Sequence, residues 1–239
     1  MNVALLLSGG TGTRVGGEIP KQYMEVQGKP MIAYCLFTIL THKAIDAVRI
    51  VAAPAWHTYI LQCLKQLDLP EDIGQKFQGF SLPGENRQLS IWNGLQDIRA
   101  CSQPDANVLI HDAARPLLSG DLITACLEAL GEYDGVLPVL PMKDTVYMSE
   151  DGEQISALLE RNRIFAGQAP EVFRLEAYYQ ANQDLLPDQI LQINGSTEPA
   201  VLAGMKIRMI PGDERNFKVT TAEDLEKFKN FAKIFTMEI

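Results

Sequence analysis

The chain has 239 residues, enough for one large α/β domain or one domain with an appendage. Hydrophobic residues make up 46% of it, ample for a core, and a net charge of −9 argues against a nucleic-acid or anionic-membrane surface. No run of about 18 apolar residues occurs, so no membrane span is expected; the N-terminus enters an apolar stretch without a basic leader, so no signal peptide is expected either. Cys35, Cys63, Cys101 and Cys126 form no CxxC pair; Cys35, Cys63 and Cys126 sit among apolar helical residues, and buried thiols in a reducing cytoplasm are their plain reading. His42, His57 and His111 are scattered and share no spacing with the cysteines, which argues against zinc.

The first predicted element is a buried strand over 3–7. It runs into Ser8, Gly9, Gly10, Thr11, Gly12, Thr13 and Arg14, and Lys21 follows. Glycines let a backbone turn sharply and approach a ligand, and a turn dense in free N–H groups can cradle phosphate oxygens. Two cations beside such a turn suit a triphosphate. Two familiar phosphate fingerprints fail: GxGxxG meets Val15 where its last glycine belongs, and no glycine precedes a lysine followed by Ser or Thr. Taken alone, the loop also reads as a glycine-rich turn with incidental surface charges.

Helices predicted over 30–43, 56–67, 88–99 and 121–130 alternate with apolar strands over 47–53, 77–82, 107–111 and 135–139. Continuous apolar strands between helices predict an α/β fold: a mostly parallel, twisted sheet covered by helices on both faces. The pattern breaks after Pro141. Alternation over 145–148, a turn at Glu150-Asp151-Gly152 and a return over 154–157 predict a β-arm inserted at 142–165 within a single domain, 1–239. Short helices are expected at 175–182 and after Gly195-Ser196-Thr197-Glu198, and a strand at 206–210. The last helix is expected at 220–233, capped by Thr220 or Thr221 with Glu223 and Asp224 near its positive end. Three polar groups, at 9–21, 84–90 and 112–115, fall at the carboxyl ends of predicted strands, where ligands gather in open α/β sheets.

G-G-x-G-x-R followed by Pro20-Lys21-Gln22-Tyr23 resembles the nucleotidyltransferases that make nucleoside-diphosphate sugars and alcohols. Within them it is similar to the cytidylyltransferases for 2-C-methylerythritol 4-phosphate and ribitol 5-phosphate. His111-Asp112-Ala113-Ala114-Arg115-Pro116 is a second match, and Gly84-Glu85-Asn86-Arg87 leading to Ser90 and Asn93-Gly94 is a third. Lys218-Val219-Thr220 before Asp224-Leu225 matches the family's tail. The resemblance implies a Rossmann-like fold and nucleotide contacts from Ser8, Gly9, Gly10, Thr11, Gly12, Thr13, Gly84, Glu85, Ser90, Asp112 and Ala113. It implies Arg14, Lys21 and Lys218 as the catalytic cations and Mg²⁺ on Asp112. On the acceptor side it implies Asp112, Arg115, Thr145, Arg161, Thr197 and Lys218, with the arm reaching across a homodimer to the partner's site. An inserted hairpin has little core of its own, which independently favours a partner, although a merely decorative hairpin has the same sequence signature. Plainer roles also exist for several residues: Ser90 as a first-turn cap, Asp112 as a turn residue, Arg115 in a salt bridge, Arg87 as a loop brace.

The implied reaction is transfer of CMP from CTP to a polyol phosphate with release of pyrophosphate, in the cytoplasm. HDAARP and the overall length favour 2-C-methyl-D-erythritol 4-phosphate, the isoprenoid-precursor route, which is the preferred reading; Gly167-Gln168 looks more like the D-ribitol 5-phosphate enzymes of teichoic-acid or capsule precursor synthesis, the alternative. A non-catalytic sensor of CTP or polyol phosphate is the rival class, and retention of Arg14, Lys21, Asp112 and Lys218 argues against it. The chain departs from the family pattern at Ala169 and Glu171, where Q-T-P-Q or L-T-P-Q is usual, and at Glu198, where aspartate follows the threonine. All three departures lie on the acceptor side.

Overall fold

A computed structural model describes residues 1–10 and 19–233. β1 (Asn2–Leu7) leads to a small hairpin, β2 (Glu25–Val26) and β3 (Lys29–Pro30), and then α1 (Met31–Thr41). There follow β4 (Ala47–Val51), α2 (Pro54–Gln66), α3 (Glu71–Gly74), β5 (Phe77–Ser81), α4 (Arg87–Cys101), β6 (Asn107–Asp112), α5 (Gly120–Ala129) and β7 (Gly135–Pro141). The arm holds β8 (Tyr147–Met148) and β9 (Ala157–Leu158). The chain closes with β10 (Phe165–Gly167), β11 (Glu171–Arg174), α6 (Leu175–Gln183), α7 (Glu198–Leu202), β12 (Ile207–Pro211) and α8 (Ala222–Ala232).

The main sheet runs β10-β7-β11-β6-β1-β4-β5, with β12 also paired to β7. β6, β1, β4 and β5 are parallel, as are β7 and β12, while β10 and β11 run antiparallel to their neighbours. The apolar strands are explained by their two covered faces. Ala4 and Leu6 join one core with Ile32, Leu36 and Ile39 of α1 and Ile123 of α5; Val3 and Leu5 join another with Ile91 and Leu95 of α4 and Tyr178 of α6. β10 and β11 escaped the sequence reading. The first is a three-residue exposed strand, and the second begins and ends on a charge, so neither shows an apolar run.

The inserted hairpin is present but shorter than expected: pairing is confined to Tyr147 with Leu158 and Met148 with Ala157. Asp151 fixes its turn by accepting from the N–H groups of Glu153 and Gln154, both at 2.9 Å. The last helix starts at Ala222, with Thr221 as its cap. Asp224 donates its N–H to Thr221 Oγ1 at 3.1 Å and accepts the Thr221 N–H at 2.9 Å, a capping box. This helix packs on α1 through Phe228 against Tyr34.

Candidate active site

β1, β4 and β6 end together. Leu7 is level with Val51 on one side and Asp112 on the other. Beyond this line the Ser8 N–H donates to Val51 O at 2.9 Å, and the Ala113 N–H donates to Leu7 O at 3.0 Å. The Pro-Lys-Gln-Tyr segment then returns to hold the first loop. Gln22, buried, donates its amide to Ser8 O at 2.9 Å and to Gly10 O at 2.6 Å. The Tyr23 hydroxyl donates to Ser8 O at 3.0 Å and accepts from Ser8 Oγ at 2.9 Å, and its ring stacks on Trp56 at 4.4 Å. With the two residues after it anchored in this way, Lys21 is set on the wall of the cleft.

The second loop meets the first at Gly9. A Cβ there would lie 2.7 Å from Pro83 Cβ, so only glycine lets the two backbones approach this closely. Gly84 is as constrained, because a Cβ would fall 2.3 Å from Leu89 Cβ and 2.9 Å from Ser90 N. Asn86 caps α4 by accepting the Leu89 N–H at 2.8 Å. The Ser90 hydroxyl accepts the Gly84 N–H at 3.0 Å and donates to Asn86 O at 2.9 Å, so its proton holds the loop.

The third group closes the site. Asp112 Oδ1 accepts from Arg87 Nε at 3.1 Å and Nη2 at 2.9 Å, and Oδ2 accepts from Lys218 Nζ at 2.8 Å. Burial pushes the Asp112 carboxyl up, but Arg87 and Lys218 overcome this and hold it well below the usual carboxylate range. His111 beneath it is fully buried, and burial drives its imidazole down to about 4, so the ring is neutral near pH 7. Its Nε2 lies 3.0 Å from Arg115 O, which requires the proton on Nε2. Arg115 in turn donates Nη1 to Asn216 O at 2.7 Å.

Two cavities adjoin the trio Arg87, Asp112 and Lys218. One, of about 570 Å³, is walled by Ser8, Gly9, Gly10, Lys21, Gln22, Gly84, Glu85, Asn86, Ser90 and Ala114 as well as the trio. The other, of about 260 Å³, is walled by Arg115, Ala169, Glu171, Asn194, Gly195, Ser196 and Thr197 with the same three residues. The trio is thus the partition between them. Among the described residues, five buried side-chain polar atoms have no hydrogen-bond partner: His111 Nδ1, Arg115 Nε, Glu171 Oε2, Ser196 Oγ and Asn216 Oδ1. Three of those residues line the smaller cavity, and His111 and Asn216 bond to Arg115. A natively folded chain leaves few such atoms, so a ligand bearing donors and acceptors is the natural complement.

Most of the residues the sequence singled out therefore meet in one place. Ser8, Gly9, Gly10, Lys21, Gly84, Glu85, Ser90, Asp112 and Lys218 line the larger cavity, and Asp112, Arg115, Thr197 and Lys218 line the smaller. Thr11, Gly12, Thr13 and Arg14 lie outside the described residues. Ala113 is in the core, and its neighbour Ala114 takes the wall. Thr145 and Arg161 line neither cavity of their own chain. Thr145 is exposed, and Arg161 donates to Lys143 O at 2.9 Å. Thr197 makes no side-chain cap of α7; Glu198 instead accepts the Asn194 N–H at 2.8 Å, bracing the loop that carries Thr197. Arg87, read as a possible brace, is half of the central ion pair. The motif gives Gln22 no role of its own, because its spacing from Ser8 carries no hint of the anchoring bonds.

A family model described as IspD, 2-C-methyl-D-erythritol 4-phosphate cytidylyltransferase, matches residues 2–232. The chain belongs to this family. Among curated relatives of these cytidylyltransferases, the ribitol-5-phosphate cytidylyltransferase of Streptococcus agalactiae serotype V is 30% identical over 230 residues, covering 96% of this chain and 94% of that protein. The 2-C-methyl-D-erythritol 4-phosphate cytidylyltransferase of Lachnospira eligens is 31% identical over 233 residues, covering 95% and 96%. The fold matches the crystal structure of 4-diphosphocytidyl-2C-methyl-D-erythritol synthase from Anaerococcus prevotii with a TM-score of 0.81 at 22% identity, over 97% of this chain and 96% of that one. Among the described residues no helix is long and apolar enough to cross a membrane.

Proposed function

We propose that the protein transfers CMP from CTP to a polyol phosphate and releases pyrophosphate. The observation that carries this reading is the shared partition: a cation–carboxylate–cation trio with a nucleotide-sized cleft on one side and a small polar cavity on the other. In the larger cleft the close backbone at Gly84 and Glu85 with Ser90 would hold the cytosine, and Ser8 to Gly10 with Lys21 the triphosphate. The acceptor phosphate enters from the smaller cavity beside Arg115 and Lys218. Its oxygen attacks the α-phosphorus, a new P–O bond forms, and the bond to the β-phosphate oxygen breaks as pyrophosphate departs. Both partners are anions, so this chain works by positioning and charge neutralisation. Lys218, held at 2.8 Å from Asp112, is placed where negative charge grows, and Lys21, on the wall of the larger cleft, would meet the leaving group. Burial pushes the Cys35 and Cys126 thiols up to about 12, so neither serves as a nucleophile.

Magnesium fits this site in a limited way. Asp112 already accepts three N–H bonds, which leaves it room as a single ligand, and a magnesium ion carried on substrate phosphates needs no more than one or two protein carboxylates. When bound, the ion would neutralise triphosphate charge. The acceptor is 2-C-methyl-D-erythritol 4-phosphate or D-ribitol 5-phosphate; relatives named for either stand at about the same identity, 30% and 31%. We also place the arm at a homodimer interface. Tyr147, Met148, Ile155 and Leu158 expose apolar surface on it, and Thr145 and Arg161 line neither of the two cavities beside the trio. Free, mostly buried cysteines suit a cytoplasmic setting. Pyrophosphate release is the test. CTP with one of the two polyol phosphates should produce it, and absence of release with both would remove this reading.

A further inference from the structure

Glu171 is the unexplained group of the smaller cavity. It opens β11, level with Ile110 of β6, and is 7% exposed while lining that cavity. Its Oε2 is sealed from solvent and has no hydrogen-bond partner. Ser196 Oγ lies close enough to favour the ionised carboxyl, yet it too is buried without a hydrogen bond. Burial pushes the Glu171 carboxyl up and Asp112 adds to this; Arg87, Ser196 and Arg115 favour the ionised form without overcoming it. A carboxyl group offers a phosphate no cation, and its oxygens accept from a hydroxyl whether or not it is ionised. It therefore orients an acceptor, sending the phosphate toward Arg115 and Lys218 and the hydroxylated tail toward β11. Ala169 adds no polar side chain to this wall, while Asn194 and Thr197 also line it.

We propose that Glu171 is the specificity residue of the acceptor cavity, accepting a hydroxyl from the far end of an unbranched alditol phosphate. This rests on the cytidylyl-transfer reading above. D-Ribitol 5-phosphate carries four hydroxyls on a five-carbon chain. 2-C-Methyl-D-erythritol 4-phosphate has one hydroxyl fewer, a shorter chain and a methyl branch. A site with buried, unpaired Glu171 and Ser196 oxygens discriminates strongly for the ligand that pairs them, because the other leaves them unpaired. The unbranched acceptor is thus the substrate this cavity selects.

The test compares wild type with Glu171→Gln, a change that keeps shape and turns one carboxyl oxygen into an amide donor. Initial rates of pyrophosphate release are measured with CTP and each of the two polyol phosphates. Wild type should prefer D-ribitol 5-phosphate. Glu171→Gln should lower its kcat/KM roughly tenfold or more, chiefly through KM, with a smaller loss for the methyl-branched acceptor and a KM for CTP near wild type. A wild-type preference for the branched acceptor, or an unchanged preference in the variant, overturns the proposal. If wild type turns over neither acceptor, the transfer reading falls. Calorimetric titration of D-ribitol 5-phosphate then still decides Glu171: roughly tenfold weaker binding by the variant supports the role, and equal binding overturns it.

Discussion

Arg87→Gln removes one arm of the central ion pair and leaves the other. In wild type the guanidinium donates two bonds to a single oxygen of Asp112, whose side chain is 11% exposed, while Arg87 itself is 32% exposed. Charge-assisted bonds to a buried carboxylate contribute about 1.5–3 kcal/mol, and partial exposure of the arginine points to about 2 kcal/mol. For a chain of this length that corresponds to a fall in Tm of about 4–8 °C. Activity should suffer more. With Arg87 gone, the full charge of Asp112 acts on Lys218 alone and draws it away from the phosphates, so kcat/KM should fall about 100-fold. The pH dependence follows from the depressed carboxyl. A carboxyl held below its unfolded value of about 3.9 contributes stability that is present above that pH and lost as pH falls. The stability gap between wild type and Arg87→Gln should be open at pH 7 and narrow below about pH 4. Urea unfolding and pyrophosphate release measure both arms. A variant with wild-type kcat/KM for CTP and acceptor would reduce Arg87 to a loop brace and refute the partition argument.

Three further outcomes are expected. Gly84→Ala forces a Cβ to within 2.3 Å of Leu89 Cβ, so the loop must shift; the KM for CTP should rise about tenfold in steady-state assays, while the acceptor KM stays near wild type. Asp224→Asn weakens the capping box of α8. The Asp224 carboxyl, partly desolvated yet held down to about 2 by Thr220 and Thr221, contributes stability above its unfolded value that is lost as pH falls toward 2. The variant should be about 1 kcal/mol less stable at pH 7 by chemical denaturation, with the difference closing between about pH 4 and 2. Lys21→Ala and Arg161→Ala should each fold and be inactive alone. Co-expressed, they should recover about one quarter of wild-type activity, since half the dimers would be mixed and each would hold one intact site; no recovery would place Arg161 outside a shared site.

The layered sheet was legible because its central strands are covered on both faces and so read as unbroken apolar runs between helices. β10 and β11 were not, because Phe165–Gly167 is short and exposed and Glu171 puts a charge at the start of a buried strand. The same residue shows why the site was only partly legible. A motif marks Lys21, Asp112 and Lys218 by type and spacing, but the burial of Glu171 and its missing partners arise only when β11 is laid against β6. Likewise the pairing of Arg87 with Asp112 spans 25 positions, and that of Lys218 with Asp112 spans 106. No local pattern encodes such contacts.

A crystal structure of the protein with CTP tests the central claim most directly. The account predicts the base against Gly84 to Ser90, the triphosphate beside Lys21, and the α-phosphate at Lys218 with its open face toward Arg115 and Glu171. A nucleotide seated elsewhere, or an α-phosphate turned away from the Arg87–Asp112–Lys218 partition, would contradict it.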